Sequence, residues 1–233
     1  MIKIANGHYV LPDFSLQIEL AAEAGKFYAV LGPSGAGKST LLSVIAGFET
    51  LKSGTVFLDG KDMTNVTPAT RPVSMVFQDY NAFAHLSVWD NLALGLSPAL
   101  KLSDLQSAQV EAALQKVGLT GYEKRLPSEL SGGERQRIVL ARVLVRNKPI
   151  LLLDEPFAAL DPALRQEMLD LVVALQQDKK LTVLLVTHQP QDATQVADGV
   201  IFVSEGKVHP PIATDRFFTS RDTAVLKYLG RPG

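Results

Sequence analysis

Residues 32–40 read Gly-Pro-Ser-Gly-Ala-Gly-Lys-Ser-Thr, and this stretch decides the fold. It fits the pattern Gly-x-x-x-x-Gly-Lys-[Ser/Thr], which forms a phosphate-binding loop (P-loop) between a strand and a helix. An apolar run at 27–31 comes directly before it and predicts a buried strand. Apolar residues with helical spacing follow it as far as Gly47, which is placed to end the helix as a C-terminal cap. The structural context that the motif requires is therefore present.

The residue types of the P-loop suit a nucleoside triphosphate. Its glycines let backbone N–H groups turn inward towards phosphate oxygens, and the helix that starts near Lys38 adds the positive end of its dipole. Lys38 is expected to reach the β- and γ-phosphates, and Ser39 to place its hydroxyl on Mg²⁺. A glycine-rich turn without a ligand is the alternative reading. The predicted ATP-binding residues are Gly32, Pro33, Ser34, Gly35, Ala36, Gly37, Lys38, Ser39 and Thr40.

Composition and charge narrow the class of protein. The chain has 233 residues, 46% hydrophobic and 20% charged, which is enough to bury a sizeable core. Its net charge of −1 lacks the basic excess of a nucleic-acid-binding domain, and with no cysteine there is no disulfide framework or thiolate metal site. No apolar run approaches the roughly 18 residues of a membrane span. We expect a soluble, cytosolic chain that reaches a membrane only through a partner.

A second glycine-containing stretch, the signature segment at 130–136, reads Leu-Ser-Gly-Gly-Glu-Arg-Gln. It runs into a helical pattern in which Ile138, Ala141, Leu144 and Val145 share one face. Ser-Gly-Gly at a helix start offers backbone N–H groups to an anion. Serine is also a common N-cap, so the string alone has a purely structural reading. Two such phosphate cradles in one chain favour a ligand at each.

Acidic residues follow a strand that has no polar position. The apolar run at 150–153 is typical of a parallel strand buried on both faces, and it delivers Asp154 and Glu155 to the strand end. Asp154 is suited to hold Mg²⁺, directly or through water, and Glu155 to take a proton from attacking water. His188 follows another such run at 182–186, although a lone histidine is usually structural. Because ligands gather at the carboxyl ends of parallel strands, these side chains are predicted to share one site.

Three further positions are candidates at the margin of this site. Gln78 comes directly after the β run at 73–77, where its amide would reach the metal or the attacking water, but a solvated loop glutamine is the alternative. Tyr9 has a ring that would suit stacking on adenine, and a plain surface or core tyrosine fits equally well. Asp161 stands before Pro162 and reads as the N-cap of a helix.

Between the two phosphate cradles the pattern turns helical, which predicts a helical subdomain at roughly 80–145 carried on the nucleotide-binding core. Phe83, Leu86 and Trp89 are candidates there for a partner contact, with core packing as the alternative. Short β runs before the P-loop predict a small antiparallel layer. The expected fold class is α/β, with a mostly parallel core sheet, in one domain of 233 residues.

Taken in order, these motifs resemble those of the ATP-binding subunit of an ABC transporter. The resemblance covers nearly the whole chain, and the signature segment between the P-loop and Asp154 is highly specific to that family. It implies an ABC-type P-loop ATPase with ATP and Mg²⁺ bound at the interface of a head-to-tail homodimer. The segments that carry the resemblance are residues 32–40, Gln78, the signature segment, residues 150–156, residues 159–161 and His188.

The resemblance also implies a role for each matching residue. Catalysis would fall to Glu155, with His188 holding the γ-phosphate, Lys38 binding it, and Gln78 sensing Mg²⁺, water and the transporter. Tyr9 would stack on adenine, and Ser39, Gln78 and Asp154 would serve the metal. Two residues depart from the family pattern, because Glu134 replaces a glutamine and Ala158 a serine. The ATP of the opposite subunit would be contacted by Ser131, Gly132, Gly133, Glu134 and Asp161.

Within the family, the stretches at 71–78, 83–86, 91–96, 100–102 and 159–169 resemble those of bacterial importer ATPases, most closely the thiamine importers. This implies an integral membrane permease as partner, a periplasmic solute-binding protein indirectly, and a peripheral position at the cytoplasmic face of the inner membrane, without nucleic acid. Iron and polyamine importers use near-identical ATPases and stay open as alternatives. A soluble ABC-type ATPase acting on nucleic acid or ribosomes is a further alternative. A simple P-loop kinase would leave the signature segment and His188 without a purpose.

Overall fold

The strands of this protein join in one sheet that extends from an antiparallel edge to a parallel edge in the computed structural model, which describes residues 1–77 and 82–231. The strand order is β5-β4-β1-β2-β10-β9-β3-β8-β7-β6, with β11 paired to β9. The strands are β1 (Ile2–Leu11), β2 (Phe14–Ala22), β3 (Phe27–Leu31), β4 (Ser53–Leu58), β5 (Lys61–Asp62), β6 (Val73–Val76), β7 (Ile150–Asp154), β8 (Thr182–Val186), β9 (Gly199–Ser204), β10 (Lys207–Val208) and β11 (Ile212–Ala213).

The core of the sheet is parallel. Strand β3 pairs in parallel with β8 and β9, and β7 pairs in parallel with β6 and β8. Strands β3, β7 and β8 are buried at every position, as their unbroken apolar sequences predict. Strand β1 pairs antiparallel with β2 and with β4, and β4 pairs antiparallel with β5. The predicted α/β fold with a parallel core and an N-terminal antiparallel layer is therefore confirmed.

Helices cover both faces of the parallel core. Gly47 caps the helix after the P-loop in a left-handed conformation, as predicted. A short 3-10 turn, Pro127–Glu129, precedes the signature segment. The helices are α1 (Lys38–Ala46), α2 (Val88–Ala93), α3 (Asp104–Lys116), α4 (Gly132–Arg146), α5 (Pro162–Lys179), α6 (Pro190–Val196), α7 (Thr214–Phe218) and α8 (Thr223–Tyr228).

Strand β7 divides the two main hydrophobic clusters. Leu151 and Leu153 pack in the cluster that contains the buried face of α4. Ile150 and Leu152 pack in the cluster that contains α1. Since alternate residues of a strand point to opposite faces, α1 and α4 lie on opposite faces of the sheet. The two helices that begin at the predicted phosphate cradles are thus separated by the sheet.

The first strand is longer than its sequence suggests. The apolar run that predicts this strand ends at Ala5, and Asn6-Gly7 follows it. In the structure the pairing register of β1 with β2 shifts between Ile4 and Gly7, and Asn6 has φ of +50°. This β-bulge accommodates Asn6 and Gly7 within the strand, so β1 continues to Leu11. The sequence alternation beyond the bulge therefore does not tell which side chains point inward.

Candidate functional site

The P-loop backbone has a shape that only glycine allows at two positions. Gly32 has φ of +154°, and a Cβ there would stand 2.0 Å from the carbonyl oxygen of Val203. Gly37 has φ of +102°, and a Cβ there would stand 2.7 Å from the ring of Phe14. The loop is thus packed closely against its surroundings while Pro33 and neighbouring residues stay exposed at its rim. A loop of this shape turns its N–H groups towards a common centre.

The Lys38 side chain lies inside the P-loop and binds to its backbone. Its side chain is 5% exposed, and Nζ donates hydrogen bonds to the carbonyl oxygens of Gly32 at 3.0 Å and Pro33 at 2.9 Å. Burial lowers the pKa of the Lys38 ammonium, while the charges of Glu155 and Asp154 work in the opposite direction. A buried cation that donates to two neutral carbonyls is well placed to receive phosphate oxygens.

Ser39 and Asp154 form the next contact. The Ser39 hydroxyl donates a hydrogen bond of 2.9 Å to Asp154 Oδ1, so the first turn of α1 is joined to the end of β7. Asp154 is 9% exposed; burial raises the pKa of its carboxyl group, while the Ser39 hydrogen bond acts to lower it. A hydroxyl and a buried carboxylate are the oxygen donors that Mg²⁺ prefers, so the residues present fit this ion.

Glu155 and His188 meet at the ends of adjacent strands. The distance from His188 Nε2 to Glu155 Oε1 is 2.5 Å, with the Glu155 side chain mostly buried and that of His188 half-exposed. The Glu155 backbone is left-handed, with φ of +49°, and its N–H donates to the carbonyl oxygen of Val186 at 3.1 Å. A non-glycine residue is uncommon in this conformation, and such strain concentrates at functional sites. The carboxylate is thereby aimed out of the strand end beside Asp154.

Residues of the signature segment cap their own helix. Ser131 Oγ accepts a hydrogen bond from Glu134 N at 3.2 Å, and Glu134 Oε2 accepts one from Ser131 N at 2.7 Å, which is a capping box. This hydrogen bond from the Ser131 backbone is the main cause that lowers the pKa of Glu134. Gly133 is buried where a Cβ would stand 2.8 Å from the side chain of Leu164. The amides of Gly132 and Gly133, at the start of α4, have no backbone acceptor within the helix and are available to an anion.

Asp161 is exposed at the start of α5. Its carboxylate accepts a hydrogen bond from the Leu164 N–H at 3.0 Å, so it is an N-cap, with Pro162 as the first helical residue.

The other predicted phosphate-binding residues are accessible to different degrees. Gly132, Ala36, Gly37 and Thr40 are partly exposed, and Ser34 and Gly35 are exposed. The predicted residues of the P-loop and the signature segment thus sit at two separate helix starts.

The role of Tyr9 in stacking on adenine stays a prediction. Its ring is 4% exposed, and its hydroxyl donates a hydrogen bond of 2.8 Å to Glu49. The ring that stands against the P-loop is Phe14, which is partly exposed and contacts the position of Gly37. The sequence did not single out Phe14, because the bulge in β1 and the start of β2 decide which aromatic side chain faces the loop. The only available signal was its place in an apolar run that leads towards the P-loop.

Gln78, predicted to serve the metal and the attacking water, lies outside the described residues. Of the candidates for a partner contact, Phe83 is exposed with the Arg142 guanidinium 4.9 Å above its ring, while Trp89 packs against the core. Within 1–77 and 82–231, no cluster of three or more His, Cys, Asp or Glu side chains could hold a metal ion. In the same ranges no helix is both long and apolar enough to cross a membrane.

Strands β3, β7 and β8 thus present a P-loop lysine, a Ser39–Asp154 pair and a Glu155–His188 pair at their carboxyl ends, which defines a P-loop nucleotide-binding protein. Residues 16–158 match the family model described as ABC transporter. The chain belongs to the ABC transporter family.

Curated relatives agree over most of the chain. A protein of Mesorhizobium japonicum named "Thiamine import ATP-binding protein ThiQ" is 53% identical over 92% of this chain and 85% of its own length. Proteins of the same name from Vibrio vulnificus and Escherichia coli are each 50% identical, over 92% and 89% of this chain and 92% and 90% of their own lengths.

Solved structures share the fold. An ATP-binding cassette of an ABC transporter in its ADP conformation superimposes with a TM-score of 0.87 at 24% identity, over 98% of this chain and 97% of that one. A dimeric post-hydrolysis state of another ATP-binding cassette, bound to ADP and Pi, superimposes with a TM-score of 0.77 at 26% identity, over 92% of this chain and 99% of that one.

Proposed function

We propose that this chain is the ATPase subunit of an ABC importer that takes up thiamine and its phosphates. The observation that carries the ATPase is the convergence of Lys38, the Ser39–Asp154 pair and the Glu155–His188 pair at one edge of the parallel sheet. The choice of thiamine rests on relatives of that name at about half identity over most of the chain. A site of this kind binds ATP on residues 32–40 and hydrolyses it beside Glu155.

Binding would begin at the P-loop. The phosphates would take hydrogen bonds from loop amides, and Lys38 Nζ would turn from the carbonyls of Gly32 and Pro33 to the β- and γ-phosphates. This exchange replaces two neutral acceptors by charged ones, which makes stronger hydrogen bonds. Ser39 and Asp154 would hold Mg²⁺, which supplies charge neutralisation on the phosphates when it is bound. The partly exposed ring of Phe14 would lie under the base.

Hydrolysis would then use Glu155. Its carboxylate would accept a proton from a water molecule as the water oxygen forms a bond to the γ-phosphorus. The bond between that phosphorus and the bridging oxygen breaks, so the products are ADP and inorganic phosphate. His188, which contacts Glu155 at 2.5 Å, would hold the carboxylate in position and bind the γ-phosphate. We keep the predicted roles of the other residues. Gln78 would sense Mg²⁺ and the attacking water, Thr40 would bind ATP, and Gly133 would contact the ATP of the opposite subunit.

We infer a head-to-tail homodimer from the separation of the two phosphate cradles. Helices α1 and α4 lie on opposite faces of the sheet, so the signature segment does not extend the P-loop site of its own chain. A second copy related by a two-fold axis would bring Ser131, Gly132, Gly133, Glu134 and Asp161 to the other chain's ATP. A similar solved cassette is dimeric with ADP and Pi, which supports this arrangement.

Coupling to transport requires a membrane partner. We infer an integral permease that binds the peripheral ATPase dimer at the cytoplasmic face of the inner membrane, and a periplasmic solute-binding protein that meets only the permease. The segment from α2 to α4 would act as the helical subdomain of a single ABC domain that faces the permease. Closure of the dimer on ATP and its reopening after hydrolysis would move the permease between its two states.

The experiment that tests the cargo is uptake of radiolabelled thiamine by the host. Cells that lack this chain should lose high-affinity uptake, and the wild-type chain should restore it. Glu155→Gln should fail to restore it, whereas Glu205→Gln, an exposed glutamate with the same left-handed backbone, should restore it fully. Unchanged thiamine uptake in the deleted cells, with loss of iron or polyamine uptake instead, would reject thiamine and keep the ATPase.

A further inference from the structure

A buried ion pair lies behind the catalytic edge of the sheet. Arg165 of α5 donates from Nε to Asp192 Oδ1 at 2.9 Å and from Nη2 to Asp192 Oδ2 at 2.5 Å. Arg165 is 8% exposed and Asp192, on α6, is 3% exposed. Burying two charges costs about as much free energy as their attraction returns, so a pair of this kind is poorly explained as a source of stability. The residues that the pair connects therefore indicate its role better than its contribution to stability does.

One end of the pair fixes the backbone around His188. Arg165 Nη2 also donates to the Thr187 hydroxyl oxygen at 3.1 Å, and that hydroxyl donates to the Asp192 carboxylate. The same oxygen accepts the N–H of Gln189 at 3.1 Å. Thr187 and Gln189 flank His188, so a single hydroxyl holds the chain on both sides of the residue that contacts Glu155.

The other end of the pair reaches the segment between Glu155 and α5. Arg165 Nη1 lies 3.5 Å from the carbonyl oxygen of Phe157, two residues after Glu155. The Arg165 N–H bonds to the carbonyl oxygen of Asp161, the exposed residue at the start of α5. A cavity of about 100 Å³ lies against the pair and is lined by residues on both sides, among them Glu155, Phe157, Arg165, Thr187 and His188.

We propose that Arg165, Asp192 and Thr187 form a positioning unit that holds His188 against Glu155 and ties both to the segment that carries Asp161. None of the three touches the P-loop in the contacts described above, so each acts on the reaction through another residue. The unit makes the position of His188, at the reacting phosphate, and the position of the Phe157 carbonyl, between Glu155 and the start of α5, depend on one guanidinium. The proposal rests on the proposed ATPase function.

The test is steady-state ATP hydrolysis by the purified chain, with kcat and the KM for ATP determined separately for each variant. Thr187→Val keeps the shape and removes the hydroxyl, so kcat should fall on the order of 10²-fold through displacement of His188, with KM for ATP nearly unchanged. Thr187→Ser keeps the hydroxyl and should restore most of kcat. Arg165→Lys should retain part of the rate and Arg165→Met little of it.

A matched control separates positioning from folding. Leu175→Ala empties a buried apolar position on α5 and should lower the unfolding temperature while leaving kcat intact at temperatures where the chain is folded. The proposal is overturned if Thr187→Val keeps the wild-type kcat, or if Leu175→Ala, at an equal loss of unfolding temperature, lowers kcat as much. If the wild-type chain hydrolyses no ATP, the proposed function fails instead.

Discussion

Ser39 Oγ lies 2.9 Å from Asp154 Oδ1, and this hydrogen bond joins two residues that are 115 positions apart in the chain. It fixes the first turn of α1 to the end of β7. Beside it, Glu155 meets His188 at 2.5 Å. The groups that would hold and hydrolyse a triphosphate therefore lie together at one edge of the sheet, and each can be replaced separately.

Replacing Glu155 by Gln should abolish most ATP hydrolysis. The amide keeps the size of the side chain but does not accept a proton, so we expect kcat to fall by about 10²–10⁴, with ATP affinity retained. Glu205→Gln, an exposed glutamate with φ of +49° like that of Glu155, is the control and should keep the wild-type rate. The measurement is phosphate release under saturating ATP. A Glu155→Gln chain with the wild-type turnover would remove Glu155 from the mechanism.

Replacing Lys38 by Met should weaken ATP binding. The variant keeps the aliphatic stem and loses the charge-assisted hydrogen bonds to phosphate, worth about 1.5–3 kcal/mol, so Kd should rise by about 10- to 100-fold or more. Calorimetric titration with ATP measures this. Lys52→Met removes an exposed lysine after α1 and should leave Kd unchanged. Equal affinities of the Lys38→Met and wild-type chains would refute a phosphate contact at this position.

Replacing Phe14 by Ala should weaken ATP binding but leave inorganic triphosphate binding unchanged. Loss of an aromatic face under a base costs about 1–3 kcal/mol, and triphosphate has no base to lose. Tyr9→Phe is the matched control: it removes the hydrogen bond to Glu49 at a cost of about 1 kcal/mol in stability and should not alter ATP affinity. Wild-type ATP affinity in the Phe14→Ala chain would place the base elsewhere.

Glu134 should make the stability of α4 depend on pH. The Ser131 N–H lowers the folded pKa of Glu134, so its stabilisation is present above the unfolded pKa and is lost as pH falls through the folded pKa. Glu134→Gln keeps an acceptor but loses the charge, and should cost about 0.3–1 kcal/mol near neutral pH and nothing in acid. Denaturant unfolding at a series of pH values measures the difference.

Local patterns predicted much of the fold. The strands at 27–31, 150–153 and 182–186 and the helix ended by Gly47 follow from apolar periodicity and glycine placement, and all are present. Helices α7 and α8 were not predicted, because segments of five and six residues are too short to show a helical period. The left-handed turn at Glu155 was also not foreseeable, since it depends on the bond to Val186 of another strand.

The residues of the candidate site were likewise predicted only in part. Lys38 and Ser39 were predicted from the P-loop pattern, and Asp154, Glu155 and His188 from the ends of strands. The structure brings all five to one edge of the sheet. Phe14 and the Arg165–Asp192 pair were missed, because a bulge in β1 decides the first and a contact between two helices decides the second. Tertiary contacts of this kind leave no periodic trace in the sequence.

The most direct test of the central claim, that each ATP is hydrolysed between two copies of this chain, is complementation between two inactive variants. Glu155→Gln and Ser131→Arg should each be inactive alone. When they are mixed, the hybrid dimer keeps one complete site, formed by Glu155 of one copy and Ser131 of the other. Since half of random dimers are hybrids with one site of two, the mixture should regain about a quarter of the wild-type ATPase rate. A mixture that stays as inactive as its components would contradict the account.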